Sequence, residues 1–141
     1  MKSTNRMTFA ISVAVMVLVG AHGGAAQDDE ARAAERVVMR QLQAFRAGDY
    51  DTAYTFAATV IRQAFDRVAF ERMVRTGYPE IAHSTQAVVS KHETTVDDRR
   101  YITLRILGSN GVRIVATYEL VREGTDWRIS AVVTRPDGET V

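Results

Sequence analysis

The amino-acid sequence predicts an α+β fold: an N-terminal helical hairpin and a third helix packed on a curved four-stranded antiparallel sheet. Three observations carry this expectation. Apolar residues recur every three or four positions from Ala34 to Val74; beyond Tyr78-Pro79 they recur every second position; and four alternating runs are separated by short stretches rich in Asp, Asn and Gly. Helices come first and strands afterwards, the segregation typical of helices laid on one side of a sheet.

In the first helix, Ala34, Val38, Leu42 and Phe45 stand at i, i+4, i+8 and i+11, a single stripe, while Arg36, Arg40, Gln43 and Arg46 fall around the rest of the wheel. Asp28, Asp29 and Glu30 suit the positive end of the helix dipole and Arg46 the negative end. Gly48 supplies the left-handed residue that commonly ends a helix. Asp49 or Asp51 then caps a second helix by accepting backbone N–H bonds, so that Ala53, Phe56, Ala57 and Val60 turn inward. Residues 59–65 either prolong that helix or form a separate turn. Asp66 caps the third helix, in which Phe70, Met73, Val74 and Gly77 fit the i, i+3, i+4, i+7 template and Gly77 marks the end. Pro79 forbids continuation and drives Tyr78 to an extended conformation.

Strand-like runs follow over residues 84–94, 99–107, 112–122 and 127–134. Ile102, Leu104 and Ile106 alternate with Thr103 and Arg105. Val112, Ile114, Ala116, Tyr118 and Leu120 alternate with Arg113, Thr117 and Glu119. Trp127, Ile129, Ala131 and Val133 alternate with Arg128, Ser130 and Thr134. One face is apolar and the other mixed, as in an antiparallel sheet covered on one side. The turns Asp97-Asp98, Ser109-Asn-Gly111 and Glu123-Gly-Thr-Asp126 are short enough for hairpins, so a meander is expected.

Residues 1–26 have the three-part design of a secretory signal peptide: Lys2 and Arg6, an apolar run over residues 7–19, then small residues up to Ala26. The run is about a dozen residues, short of the roughly 20 that span a bilayer. Cleavage after Ala26 leaves a single domain over residues 27–135 and a loose tail over 136–141, in the periplasm or secreted, with no membrane segment. Loss of Lys2 and Arg6 changes 18 basic residues against 17 acidic to 16 against 17. A near-neutral chain without a Lys/Arg block does not suit nucleic acid. Cysteine is absent, which rules out disulfides and a lipidated N-terminal cysteine.

The Gly48-Asp49 turn, the third helix ending in Met73-Val-Arg-Thr-Gly-Tyr78, and the strands carrying Tyr118-Glu-Leu-Val-Arg-Glu-Gly124 and Trp127-Arg-Ile129 resemble the nuclear transport factor 2-like superfamily, the cystatin-like cone. More narrowly, Arg36-Val-Val, Gln41-Leu-x-Ala-Phe45, Phe56-Ala57 and Phe70-x-x-Met-Val-Arg-x-Gly-Tyr78 are similar to the bacterial domain-of-unknown-function family 4864, although Ala58-Thr59 stands where Ser-Pro is expected. The resemblance implies a sheet curled around helices with a pocket between them. Superfamily members use that pocket for steroid isomerisation, dehydration, polyketide cyclisation, or ligand and protein binding, so the fold does not choose among them.

An isomerase or dehydratase needs a base in an apolar cavity and a donor for the developing oxyanion. Tyr78 and His83 are the weak catalytic candidates, and no carboxylate lies on a clearly apolar face. Tyr78, Tyr118, Trp127 and Arg40 are the candidate ligand-binding residues. His92, between Lys91 and Glu93, reads as solvated. No metal-ligand spacing, phosphate loop or nucleophile elbow occurs, and no cofactor is implied. The leading expectation is non-catalytic binding of a small apolar or amphipathic molecule. The alternatives are a homodimer or partner interface on the sheet's open face, using Tyr101, Val115 and Val121, and an isomerase- or dehydratase-like enzyme.

Overall fold

The computed structural model describes residues 24–138. Most of the leader expected over residues 1–26 and the end of the tail expected over 136–141 therefore lie outside the described residues. Among the described residues five helices, α1 (Gly24–Arg46), α2 (Tyr50–Thr55), α3 (Thr59–Ala64), α4 (Arg67–Gly77) and α5 (Pro79–Ala82), precede four strands, β1 (Ser84–Thr94), β2 (Arg100–Gly108), β3 (Arg113–Glu123) and β4 (Asp126–Pro136). The strands form one antiparallel sheet in the order β1-β2-β3-β4, so the fold is α+β.

The stripe on α1 is buried as its spacing predicts: Ala34, Val38, Leu42 and Phe45 all lie in the core, joined by Gln41 and Ala44. They meet Ile102, Leu104 and Ile106 of β2 and Ala116, Tyr118 and Leu120 of β3. Each side chain of Leu or Phe size withdrawn from water contributes about 1.5–3 kcal/mol, and that burial is what holds α1 against the sheet. Gly48, at φ +69°, closes α1, and the Asp49 carboxylate caps α2 by accepting from the Thr52 N–H at 3.1 Å and its hydroxyl at 2.7 Å. Asp66 caps α4 by accepting from the Ala69 N–H at 2.7 Å.

Several local expectations are corrected. The acidic residues do not occupy the first turn of α1, which starts at Gly24; Glu30 instead reaches the sheet. The second helix stops at Thr55 because Phe56–Ala58 leave it to pair with β4: the Ala58 N–H donates to the Ile129 carbonyl, and the Ile129 N–H to that of Phe56, each at 2.8 Å. Thr59–Ala64 consequently make a separate helix, and Val60 is 58% exposed, not turned inward. Pro79 opens a further helical turn, since its missing N–H and fixed φ suit a first helical position. Tyr78 caps that turn at φ −137°, ψ 57°, off the extended region. Gly77 is the last residue of α4 and has no positive φ.

Along β4 the expected alternation breaks at a β-bulge. Leu120 faces Ile129 but Glu119 faces Ala131, so Ser130 is the extra residue. Beyond it the faces exchange: Val132 packs against the core and Val133 is 58% exposed. Val112 belongs to the β2–β3 turn, 44% exposed, its N–H donating to Asn110 Oδ1. At the other end β4 runs on to Pro136 opposite Ile114, and the Asp137 N–H donates to the Arg113 carbonyl at 3.1 Å.

Two glycines separate backbone strain from lack of space. A Cβ at Gly48 or at Gly77 would meet nothing within 4 Å, but only Gly48 has a positive φ. Gly48→Ala is expected to lower the unfolding free energy by about 1–2 kcal/mol, and Gly77→Ala to leave it unchanged or raise it by up to about 1 kcal/mol. Urea denaturation of both variants checks this; equal losses would contradict it.

Candidate functional site

Between the helices and the inner face of β3 and β4 lies a cavity of about 60 Å³, lined chiefly by Phe45, Phe70, Met73, Tyr78, Tyr118 and Val132. The helix stripes supply the two Phe and the Met. Tyr118 arrives from the inward phase of β3, and Val132 faces the space only because of the Ser130 bulge. Gln41 also borders it, with its amide nitrogen donating to the Ala53 carbonyl at 3.1 Å. The remaining lining is aliphatic, so the wall carries no carboxylate, imidazole, ammonium or guanidinium.

The polar feature of the wall is Tyr118. Its side chain is 1% exposed, and its buried hydroxyl finds no hydrogen-bond partner among the described residues. Burial, aided by the neighbouring Tyr78, pushes its phenol well above the usual tyrosine range. Tyr118 is therefore a neutral O–H at any physiological pH, free to donate to or accept from a guest but not to act as a base. The volume is far below the roughly 300–1,000 Å³ of a drug-sized site. It has room for a short chain end of a few heavy atoms, below the roughly 150 Å³ of an apolar cavity that takes up benzene.

The structure brings Tyr78 and Tyr118 together on this wall and leaves the other candidates elsewhere. His83 is exposed at the end of α5, where its carbonyl accepts from the Ser109 N–H at 2.7 Å. Arg40 is exposed on α1 and does not line the cavity. Trp127 is buried but ties α1 to the sheet: its Nε1 donates to Glu30 at 2.8 Å, and the guanidiniums of Arg122 and Arg100 lie 4.4 and 5.3 Å from its ring. Arg122 also donates to Glu30 at 2.7 Å, and these two bonds, Arg122 first, hold the Glu30 carboxyl below its ordinary range. His92 is half-buried, its Nδ1 3.4 Å from Glu35 of α1, contrary to the solvated reading.

One cluster escaped sequence reasoning. Glu119, on the outer face, is only 6% exposed; it accepts from the Tyr101 hydroxyl at 2.6 Å, Ser130 Oγ at 2.7 Å and Arg99 Nη1 at 2.9 Å. Tyr101 lies directly opposite Glu119, a pairing the meander implies, but Ser130 reaches it through the bulge, which nothing in the sequence marks. Burial and the bond to Glu119 push the Tyr101 phenol up to about 12. With every donor engaged on the carboxylate, the cluster is a structural knot, and Tyr101 does not offer its hydroxyl to a partner.

Among the described residues, no group of three or more His, Cys, Asp or Glu side chains is placed to hold a metal ion, and no helix is long and apolar enough to cross a membrane. The family described as Domain of unknown function (DUF4864) matches residues 27–140. No curated protein matches the chain.

The Tyr101 shift sets an alkaline limit. Its folded pKa lies above the unfolded value of about 10, so the proton is held more tightly in the native state; the stabilisation is present below about pH 10 and lost as pH rises towards about 12. Tyr101→Phe is expected to lose about 1.5–3 kcal/mol at neutral pH, the range for a hydrogen bond to a charged group. It should also flatten the decline in stability between those pH values, with Tyr50 and Tyr118, likewise raised by burial, retaining part of it. Unfolding free energies measured at intervals from pH 7 to 12 test both statements.

Proposed function

We propose that this chain, which belongs to the DUF4864 family, is an exported domain that binds a small apolar or amphipathic molecule in the cavity between helices and sheet without transforming it. The observation that carries this reading is the buried, unpartnered Tyr118 hydroxyl on an otherwise apolar wall. An orphaned donor is unfavourable by about 1–3 kcal/mol, and a guest with a carbonyl or hydroxyl oxygen would satisfy it. An isomerase or dehydratase would need a base at the same wall, and the lining supplies none. We read the architecture as a nuclear transport factor 2-like cone; the sequence resemblance and the order of helices before a four-stranded meander support it.

Export is part of the proposal. It rests on the basic, apolar and small-residue segments of residues 1–26, and the family match beginning at residue 27, next to the expected cleavage point, supports it. Expression of the full chain in a bacterial host should give a periplasmic product whose intact mass starts at Gln27. A product that keeps residues 1–26 and sediments with membranes would contradict this.

Butan-2-one, a short chain with a carbonyl acceptor, is a suitable probe for the cavity. Titration followed by amide NMR should shift residues around Tyr118 and Val132. Tyr118→Phe should bind about tenfold more weakly, about 1.4 kcal/mol for one hydrogen bond, while its melting temperature stays equal or rises because the orphaned hydroxyl is gone. Equal binding by the variant, or shifts that avoid the cavity, would overturn the assignment.

A further inference from the structure

Cysteine is absent from the chain, so its thioethers are the sulfur open to oxidation. Three of the five methionines lie in residues 1–26, which leaves Met39 and Met73. Both are half-buried and pack against the core, but of the two only Met73 lines the cavity, beside Tyr78 and Tyr118. Phe70 and Tyr118 are almost fully enclosed, whereas Met73 and Tyr78 are half-buried, so Met73 belongs to the side of the cavity nearest solvent.

A thioether is flexible and a weak acceptor, and the Tyr118 hydroxyl finds no partner among the described residues. Oxidation changes that chemistry. A sulfoxide places a strong S=O acceptor on the same unbranched stem. Its end, CH2–S(=O)–CH3, has the size and polarity of butan-2-one, so the modified side chain carries on the wall itself the kind of group that would satisfy the Tyr118 O–H. The step consumes peroxide alone: a lone pair on Met73 Sδ attacks one peroxide oxygen, and the S–O bond forms as the O–O bond breaks. The leaving hydroxide takes up the remaining proton and departs as water, so sulfur loses two electrons and peroxide gains them.

Resting on the reading of this cavity as the binding site, we propose that Met73 is a modification site through which peroxide closes it. The sulfoxide oxygen accepts from the Tyr118 hydroxyl, and the oxidised side chain takes the volume that a guest would fill. About 60 Å³ does not hold both. Methionine sulfoxide is reduced enzymatically, so the closure is reversible. Met39, away from the cavity, has no such effect.

The test compares the purified protein before and after hydrogen peroxide, with peptide mapping to place each added oxygen (about 16 Da) and butan-2-one titrated by amide NMR. Oxidation at Met73 should weaken butan-2-one at least about tenfold, and treatment with the two methionine sulfoxide reductases, one for each epimer, should restore it. Met39→Leu should keep that loss, whereas in Met73→Leu the affinity should be the same on both sides of the treatment. A second readout needs no guest: oxidation should lower the melting temperature of Tyr118→Phe by more than that of the parent chain, because the parent offers the sulfoxide the Tyr118 donor. Closure by Met73 is overturned if peroxide oxidises Met39 but spares Met73, if butan-2-one binds the Met73-oxidised protein as tightly as the untreated one, or if the two melting temperatures fall equally. Absence of butan-2-one binding before oxidation would remove the guest-binding reading alone, and the melting temperatures would then decide by themselves whether Tyr118 holds the sulfoxide.

Discussion

Two backbone hydrogen bonds, from Ala58 to Ile129 and from Ile129 to Phe56, fix how the helical half of this protein meets the sheet. They convert the end of α2 into a short parallel bridge on the edge of β4. Ala57 and Ala58 are at most 1% exposed there. With the bridge in place α3 must start afresh at Thr59, and Ala57, Ile61 and Ile129 become neighbouring parts of the cavity wall. The bulge follows immediately at Ser130. It changes the face of everything beyond it, so Val132 completes the cavity while Ser130 Oγ turns to Glu119 on the other side. The cavity and the outer carboxylate knot therefore depend on the same irregularity, viewed from the two faces of one strand.

The long regular elements were legible in the sequence because they repeat a signal. The α1 stripe runs over twelve residues from Ala34 to Phe45, β2 alternates over its nine residues, and the caps at Asp49 and Asp66 are local chemistry. What escaped was decided by single residues in tertiary context. Ala57 and Ala58 carry no periodicity, a one-residue bulge leaves no compositional trace, and Pro79 is equally a helix stop and a helix start. His92 was misjudged because its charged neighbours along the strand point the other way from a side chain that meets Glu35 of α1.

The site was legible in part for a similar reason. Tyr78 and Tyr118 were placed by position, one at a helix end and one on the inner phase of a strand, and both reach the cavity. Trp127 shares that inner phase, but an aromatic on the inner face can either border a void or be filled against its neighbours. The difference lies in Glu30, which comes from the far end of α1 and holds the indole N–H and Arg122 together. Long-range polar partners of this kind, 97 residues apart in the chain, are invisible to spacing arguments.

On the proposed reading, the inner face of the sheet would impose a selectivity of its own. Charge is excluded there, and the buried Tyr118 phenol, with Tyr78 and the Gln41 amide beside it, would supply the polar discrimination, so a guest would be distinguished by whether it offers an oxygen, since each methylene gained or lost in an apolar pocket is worth only about 1–3 kcal/mol. The small volume sets a further limit. Ligand efficiency falls from a ceiling of about 1.5 kcal/mol per heavy atom to about 0.3 for larger ligands, so a group that fills about 60 Å³ reaches only weak affinity by itself. A guest bound tightly enough to matter would have to extend beyond the cavity past the half-buried Tyr78 and Met73. That requirement favours an amphipathic molecule with one oxygen-bearing end inserted against Tyr118 over a compact apolar one enclosed whole.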